Sequence, residues 1–287
     1  MTTDFDEKYY KAGDGLRLYY RDYGAGKHGD QTAVICLHGL TRNSRDFERL
    51  AAELSSDYRV ICPDFRGRGE SEYDSNWRNY HPAQYAEDIL TLVLERGLAH
   101  VRLVGTSLGG MVAALLASAA GERVAAVVLN DIGPEIHAVG LGRIVASAGN
   151  LPRAENFAVA LANTRANYEL ALPDWSAENW RWYTQNTYRQ TASGDFELNY
   201  DRNIGTAVRA GLAGLQGSPQ DIFDALADIP TLLIRGAISD VMTADIAARM
   251  QQRKPDLDVV SVPNRGHVPI LDEKEALDAI RTFLKET

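Results

Sequence analysis

The chain has 287 residues, of which 45% are hydrophobic and 24% charged, and its formal net charge is −9. That length and apolar content suffice for a large core in one α/β domain carrying an insertion. The acidic balance excludes a nucleic-acid backbone or an anionic membrane as the expected partner, because both require a basic face.

In chain order, residues 7–10 and 16–23 flank Ala12-Gly-Asp-Gly15 and are expected to pair as a hairpin. Ala33-Val-Ile-Cys-Leu37 is a continuous apolar run, the pattern of a strand buried on both faces. A helix is expected from Ser44, as N-cap, to Glu53. Tyr58–Cys62 is the next strand, and residues 82–96 have helical periodicity through Tyr85, Ile89, Leu92 and Val93. Val101–Val104, with valine at both ends, is a short strand-like run, Leu108–Ala117 is expected to continue as a small-residue helix, and Val124–Leu129 is again strand-like. From about Pro134 to Asp228 no strand-like run occurs, and the stretch is expected to be a helical cap (134–228) on a core made of 1–133 and 229–287. Pro230–Arg235 and Asp258–Val262 resume the strand rhythm, with helices expected near 243–253 and from about Glu273. Strands alternating with helices at this spacing imply an α/β fold with a mainly parallel, doubly wound, eight-stranded sheet and the cap inserted after strand 6.

Between one of these strands and the helix that follows it stands Gly105-Thr-Ser107-Leu-Gly109. Gly-x-Ser-x-Gly in that context is the pattern of a nucleophile elbow, in which a sharp turn lifts a serine hydroxyl clear of the sheet. The flanking glycines remove Cβ atoms that would clash at the turn. Downstream, Asp240 follows the strand ending at Arg235, and His267 follows the strand ending at Val262. Both lie past carboxyl ends of strands, where sites gather in open α/β sheets. The order Ser107, Asp240, His267 supplies a nucleophile, an acid to orient the imidazole and a base to take the hydroxyl proton.

With Leu37-His-Gly-Leu40, Asp64-Phe-Arg-Gly-Arg-Gly-Glu-Ser71, Gly105–Gly110, Arg235-Gly-Ala-Ile-Ser-Asp240 and Gly266-His267, the chain resembles the capped α/β-hydrolase fold family over nearly its whole length. The resemblance implies an oxyanion hole built from the backbone N–H groups of Leu40 and Leu108. It also implies a serine esterase acting through an acyl-enzyme on a small-to-medium apolar ester or lactone. A C–C bond hydrolase of a ring-fission product and a small-molecule receptor with slow hydrolysis are the alternatives. Relatives that carry an aspartate at the Ser107 position, the haloalkane dehalogenases and epoxide hydrolases, are excluded. Asp131, just past the strand ending at Leu129, is the competing position for the acid, and Asp240 is preferred.

Other candidates receive structural readings. His38 is expected to shape its loop, Arg66 and Arg68 to brace theirs, and His28, His81, His100 and His137 to lie in loops. Of the cap aromatics Trp175, Trp180, Trp182, Tyr183 and Tyr188, some are expected to line an apolar pocket above Ser107, with Trp182 named as the substrate contact. No Walker-type loop or Gly-x-Gly-x-x-Gly follows a strand, and no zinc spacing occurs, so no cofactor and no metal are expected. Cys36 and Cys62 are read as free thiols. With no basic, apolar leader pattern and no run near the ~20 apolar residues of a membrane span, the location expected is cytoplasmic. The partner expected is a small-molecule substrate, with no nucleic acid and no membrane, on a monomer or homodimer.

Overall fold

A computed structural model describes residues 4–26, 32–211 and 219–287. Its strands are β1 (Asp6–Lys11), β2 (Arg17–Tyr23), β3 (Thr32–Leu37), β4 (Val60–Pro63), β5 (His100–Thr106), β6 (Val124–Asn130), β7 (Tyr188–Gln190), β8 (Phe196–Leu198), β9 (Thr231–Gly236) and β10 (Asp258–Val262). Eight of them form one sheet in the order β1-β2-β4-β3-β5-β6-β9-β10. The β1–β2 and β2–β4 pairs are antiparallel and the rest are parallel. The α/β class and the mainly parallel, eight-stranded sheet are as the sequence pattern implies.

The helices are α1 (Glu48–Leu54), α2 (Pro82–Glu95), α3 (Leu108–Ala120), α4 (Ala138–Ser147), α5 (Phe157–Tyr168), α6 (Ala177–Thr187), α7 (Asn203–Gly211), α8 (Pro219–Asp224), α9 (Ala244–Arg253) and α10 (Lys274–Glu286). Side chains alternate across each strand, so the apolar runs feed two cores at once. Ile35, Leu37, Leu103 and Leu129 pack on one face with Ile89 and Leu92 of α2 and Val112 of α3. Val34, Cys36, Val104 and Val128 pack on the other with Leu50 of α1 and Ile280 of α10. Cys36 and Cys62 are both free and buried on this second face.

Three local details differ from the sequence reading. The helix expected from Ser44 begins as a 3₁₀ turn, Ser44–Phe47, capped by the Asn43 side chain, and becomes α-helical only at Glu48. His100 starts β5 instead of lying in a loop. The segment between β6 and β9, the cap segment of the sequence reading, contains a small hairpin, β7–β8, that no strand-like run in the sequence announces. Three residues a side are too short to show an alternation, and the turn between them uses Gly194 at φ +92°. His28 lies outside the described residues. No helix among them is long and apolar enough to cross a membrane.

Candidate active site

Ser107 stands between the end of β5 and the first residue of α3, with φ 51° and ψ −114°. A non-glycine residue there costs on the order of 1–3 kcal/mol and persists only because its surroundings enforce it. The enforcement is visible in the neighbouring glycines. A Cβ on Gly109 would lie 2.0 Å from the Leu37 carbonyl oxygen, and one on Gly105 would lie 2.5 Å from the Gly109 backbone. The elbow therefore folds only with bare backbone at both positions, while Ser107 N–H donates to the Asn130 carbonyl (2.9 Å) and fixes the turn to the end of β6.

His267 closes on the serine from the loop after β10, its Nε2 2.9 Å from Ser107 Oγ. Its Nδ1 lies 2.7 Å from Oδ2 of Asp131. Here the sequence reading is corrected: the carboxylate beside His267 belongs to Asp131, not Asp240. Asp131 follows β6, the strand directly beside β5, and sits at φ 57° with its side chain fully buried. The end of β9 and the loop after it support it from the other side, through Gly236 N–H to Oδ1 (2.7 Å) and Ser239 Oγ to Oδ2 (2.5 Å). That segment thus contributes hydrogen-bond donors to the carboxylate beside His267 instead of the carboxylate itself. Asp240, one residue beyond Ser239, turns to the cap, where its two oxygens accept from Nη2 (2.7 Å) and Nε (2.8 Å) of Arg143. Arg143 holds the Asp240 carboxyl below its usual range. Asn130, which the sequence reading passed over, ties three site segments together: its side chain donates to Thr106 Oγ1 (3.1 Å) and to the Pro269 carbonyl (2.8 Å).

The loop after β3 is held by His38 and Arg68. Phe65 N–H donates to His38 Nε2 (3.0 Å), so the proton is on Nδ1, which faces the Gly39 carbonyl at 2.7 Å. Burial pushes this imidazole down to about 3, so it is a neutral brace. Arg42 N–H also donates to the Gly39 carbonyl (3.2 Å). A trans peptide points its N–H opposite its C=O, so anchoring that oxygen fixes the direction of the Leu40 N–H. Arg68, fully buried, donates from Nε to the Leu40 carbonyl (3.0 Å). Leu108 opens α3, where N–H groups have no acceptor within the helix. Arg66 braces its loop through Asp14, Asp74 and Asp88.

Ser107 and His267 open into a cavity of about 90 Å³, small beside the ~300–1,000 Å³ of pockets that enclose drug-sized ligands. The core lines it with Leu40 and Pro269, and the cap with Arg143, Ile144, Tyr168 and Tyr183. Trp182, the expected substrate contact, does not line it. Successive helical residues point ~100° apart, so with Tyr183 turned to the cavity Trp182 faces α1. Its indole N–H donates to Glu48 Oε1 (2.6 Å), and the Arg49 guanidinium lies 4.3 Å from its ring centre. It pins the cap to the core. Trp175 packs its ring 5.1 Å from Trp180 and 5.2 Å from Tyr183, a cluster internal to the cap. The α4 residues gave no signal in sequence, because their placement depends on how the cap docks. Among the described residues, no group of three or more His, Cys, Asp or Glu side chains is placed to hold a metal ion.

Comparison with known proteins agrees with this architecture. The family model for the alpha/beta hydrolase fold matches residues 32–274. The chain is 32% identical to a 3-hydroxybutyrate-oligomer hydrolase of Cupriavidus necator, over 88% of this chain and 87% of that one. It is 29% identical to a 2-(acetamidomethylene)succinate hydrolase of Mesorhizobium japonicum, over 94% and 92% of the two chains. A crystal structure of an alpha/beta hydrolase from Novosphingobium aromaticivorans superposes with a TM-score of 0.92 at 38% identity, each chain covered completely. On sequence and structure alike, this chain belongs to the α/β-hydrolase fold family and has hydrolases among its relatives.

Proposed function

We propose that the protein is a serine hydrolase of carboxylic esters with a short acyl group, working through an acyl-enzyme with Ser107, His267 and Asp131 as its triad. The observation that carries this reading is the continuous hydrogen-bonded chain from Ser107 Oγ through the imidazole to Asp131. His267 takes the hydroxyl proton as Ser107 attacks the ester carbonyl. Buried Asp131 holds the Nδ1–H tautomer and favours the imidazolium that forms. The oxyanion is received by the N–H groups of Leu108 and Leu40, each donor contributing about 3 kcal/mol to the lowered barrier. His267 then returns its proton to the leaving alcohol and activates the water that releases the acid.

The small cavity and its mixed lining favour a short acyl chain over a long fatty one. The relative named for 3-hydroxybutyrate oligomers supports ester chemistry, since units of a hydroxy acid are joined through ester bonds. That substrate and 2-(acetamidomethylene)succinate both carry free carboxylates.

The test is turnover of p-nitrophenyl butyrate by the purified protein, with Ser107→Ala as the control. Turnover that the substitution abolishes is expected. Equal turnover by folded Ser107→Ala, or no turnover by the native protein of p-nitrophenyl butyrate and of the acidic ester 3-acetoxybutanoate alike, would contradict the reading.

A further inference from the structure

Two arginines reach the cavity beside Ser107, and they differ in what their nitrogens do. In Arg42, Nε and Nη2 grip Asp46 (2.6 and 2.7 Å), Nη1 donates to Thr187 Oγ1 (2.6 Å), and the guanidinium stacks 3.7 Å from the Tyr183 ring centre. Every nitrogen is engaged, and the group is buried; it joins cap to core. Arg143 is gripped only along one edge, by Asp240 through Nε and Nη2. Its Nη1 has no acceptor among the described residues. The side chain is 37% exposed and lines the same cavity as Ser107 and His267.

The backbone fixes this placement. Gly140 N–H donates to the Asp240 carbonyl (3.1 Å), and a Cβ on Gly140 would lie 2.3 Å from that oxygen. His137 N–H donates to the Val241 carbonyl (3.1 Å) in the same seam. The first turn of α4 therefore lies directly on the Asp240 loop. Arg143, one turn beyond Gly140 on the same face, comes down onto the Asp240 carboxylate. A guanidinium clamped along its Nε–Nη2 edge is fixed in plane and still presents Nη1 donors in a set direction.

We infer that Arg143 is a substrate-binding residue whose Nη1 receives a free carboxylate on the substrate, so that the enzyme's preferred esters are acids. Asp240 is its positioning residue. This rests on the ester-hydrolase reading of Ser107. It adds the substrate class: a short ester bearing a second, ionised carboxyl group, as the ester of a hydroxy acid does.

The experiment compares 3-acetoxybutanoate with its amide, 3-acetoxybutyramide, which has nearly the same shape and no charge. The readout is the ratio of the two kcat/KM values within each variant, which cancels any loss of active protein. The native protein is expected to prefer the acid by about tenfold to a hundredfold, mainly through KM, as for a hydrogen bond to a charged group. In Arg143→Gln the ratio should fall to near one, and Arg143→Lys, with charge but no planar fork, should restore part of it. Asp240→Asn should lower the ratio as well, an effect that a mere cap-to-core tie would not produce. A native ratio near one, or one unchanged in Arg143→Gln, overturns the inference. If p-nitrophenyl butyrate is still cleaved in that case, only this inference falls. If the native protein cleaves none of the three esters, the reading of Ser107 falls and takes this one with it.

Discussion

The loops after β6 and after β9 each offer an aspartate at a strand end, and the two carboxylates lead opposite lives. Asp131 is fully buried, sits in left-handed backbone and accepts from a backbone N–H and a serine hydroxyl while facing His267. Asp240 is a third exposed, sits on the cap side and is occupied by an arginine. In the proposed triad, the carboxylate that orients the imidazole needs a dry, rigid setting beside Ser107, which β6 supplies by lying next to β5. A carboxylate at a cap seam can instead aim an arginine at whatever enters. Position past a strand end is shared by the two; burial and the neighbouring strand separate them.

The largest effect should come at the residue on which the account of both ends converges. Ser107→Gly should abolish ester turnover and also raise unfolding free energy by roughly 1 kcal/mol, because glycine accepts the elbow's φ of 51° without strain. Chemical denaturation beside an activity assay checks both, and a variant that is less stable than the native protein would count against enforced strain.

Next comes the comparison of the two aspartates. Asp131→Asn should cost on the order of 10⁴-fold in kcat on p-nitrophenyl butyrate, as a wrong-tautomer histidine does elsewhere, whereas Asp240→Asn should cost less than about tenfold. Steady-state kinetics on the two variants decides it, and the reverse ranking would restore Asp240 as the acid.

Widening the cap seam should be felt in stability more than in chemistry. Gly140→Val sets side-chain atoms against the Asp240 carbonyl and should destabilise the fold by about 1–3 kcal/mol. A melting temperature unchanged from the native value would show the seam to be looser than described.

The smallest effect concerns the His38 brace. Its folded pKa is about 3, below the usual value of 6.5, so between those limits the unfolded chain binds a proton that the folded chain does not. This contribution is complete above about pH 6.5 and is lost as pH falls, by on the order of 2 kcal/mol between pH 7 and pH 5. Buried Asp64, pushed up to about 6 by desolvation, acts in the opposite sense within the same range. His38→Gln should therefore show a smaller loss of stability than the native protein between those pH values. Parallel slopes would exclude a neutral buried imidazole.

Much of this was legible in the chain. Apolar runs buried on both faces identified the sheet, and Gly-x-Ser-x-Gly between strand and helix located Ser107, because strain and close backbone approach leave few residue choices. His267 followed from its place after the last strand. The choice between Asp131 and Asp240 did not, since it depends on which strand neighbours β5 and on which way a loop residue turns, properties of the sheet order and not of the local pattern. Ser239, which braces Asp131, stands one residue before Asp240 in the same loop, and its sequence position alone does not show which carboxylate it serves. The substitution of Tyr183 for Trp182 at the cavity is likewise one step of helical rotation, and the sequence contains nothing that fixes the docking angle of the cap.

The most direct test of the central claim is the rate at which a fluorophosphonate forms a covalent adduct, followed by intact mass and peptide mapping. The native protein should form one stoichiometric adduct on Ser107, Asp240→Asn should label nearly as fast, and Asp131→Asn should label at least about a hundredfold more slowly. Labelling of Asp131→Asn at the native rate, or an adduct at another residue, would contradict the assignment of Ser107, His267 and Asp131 as the working triad.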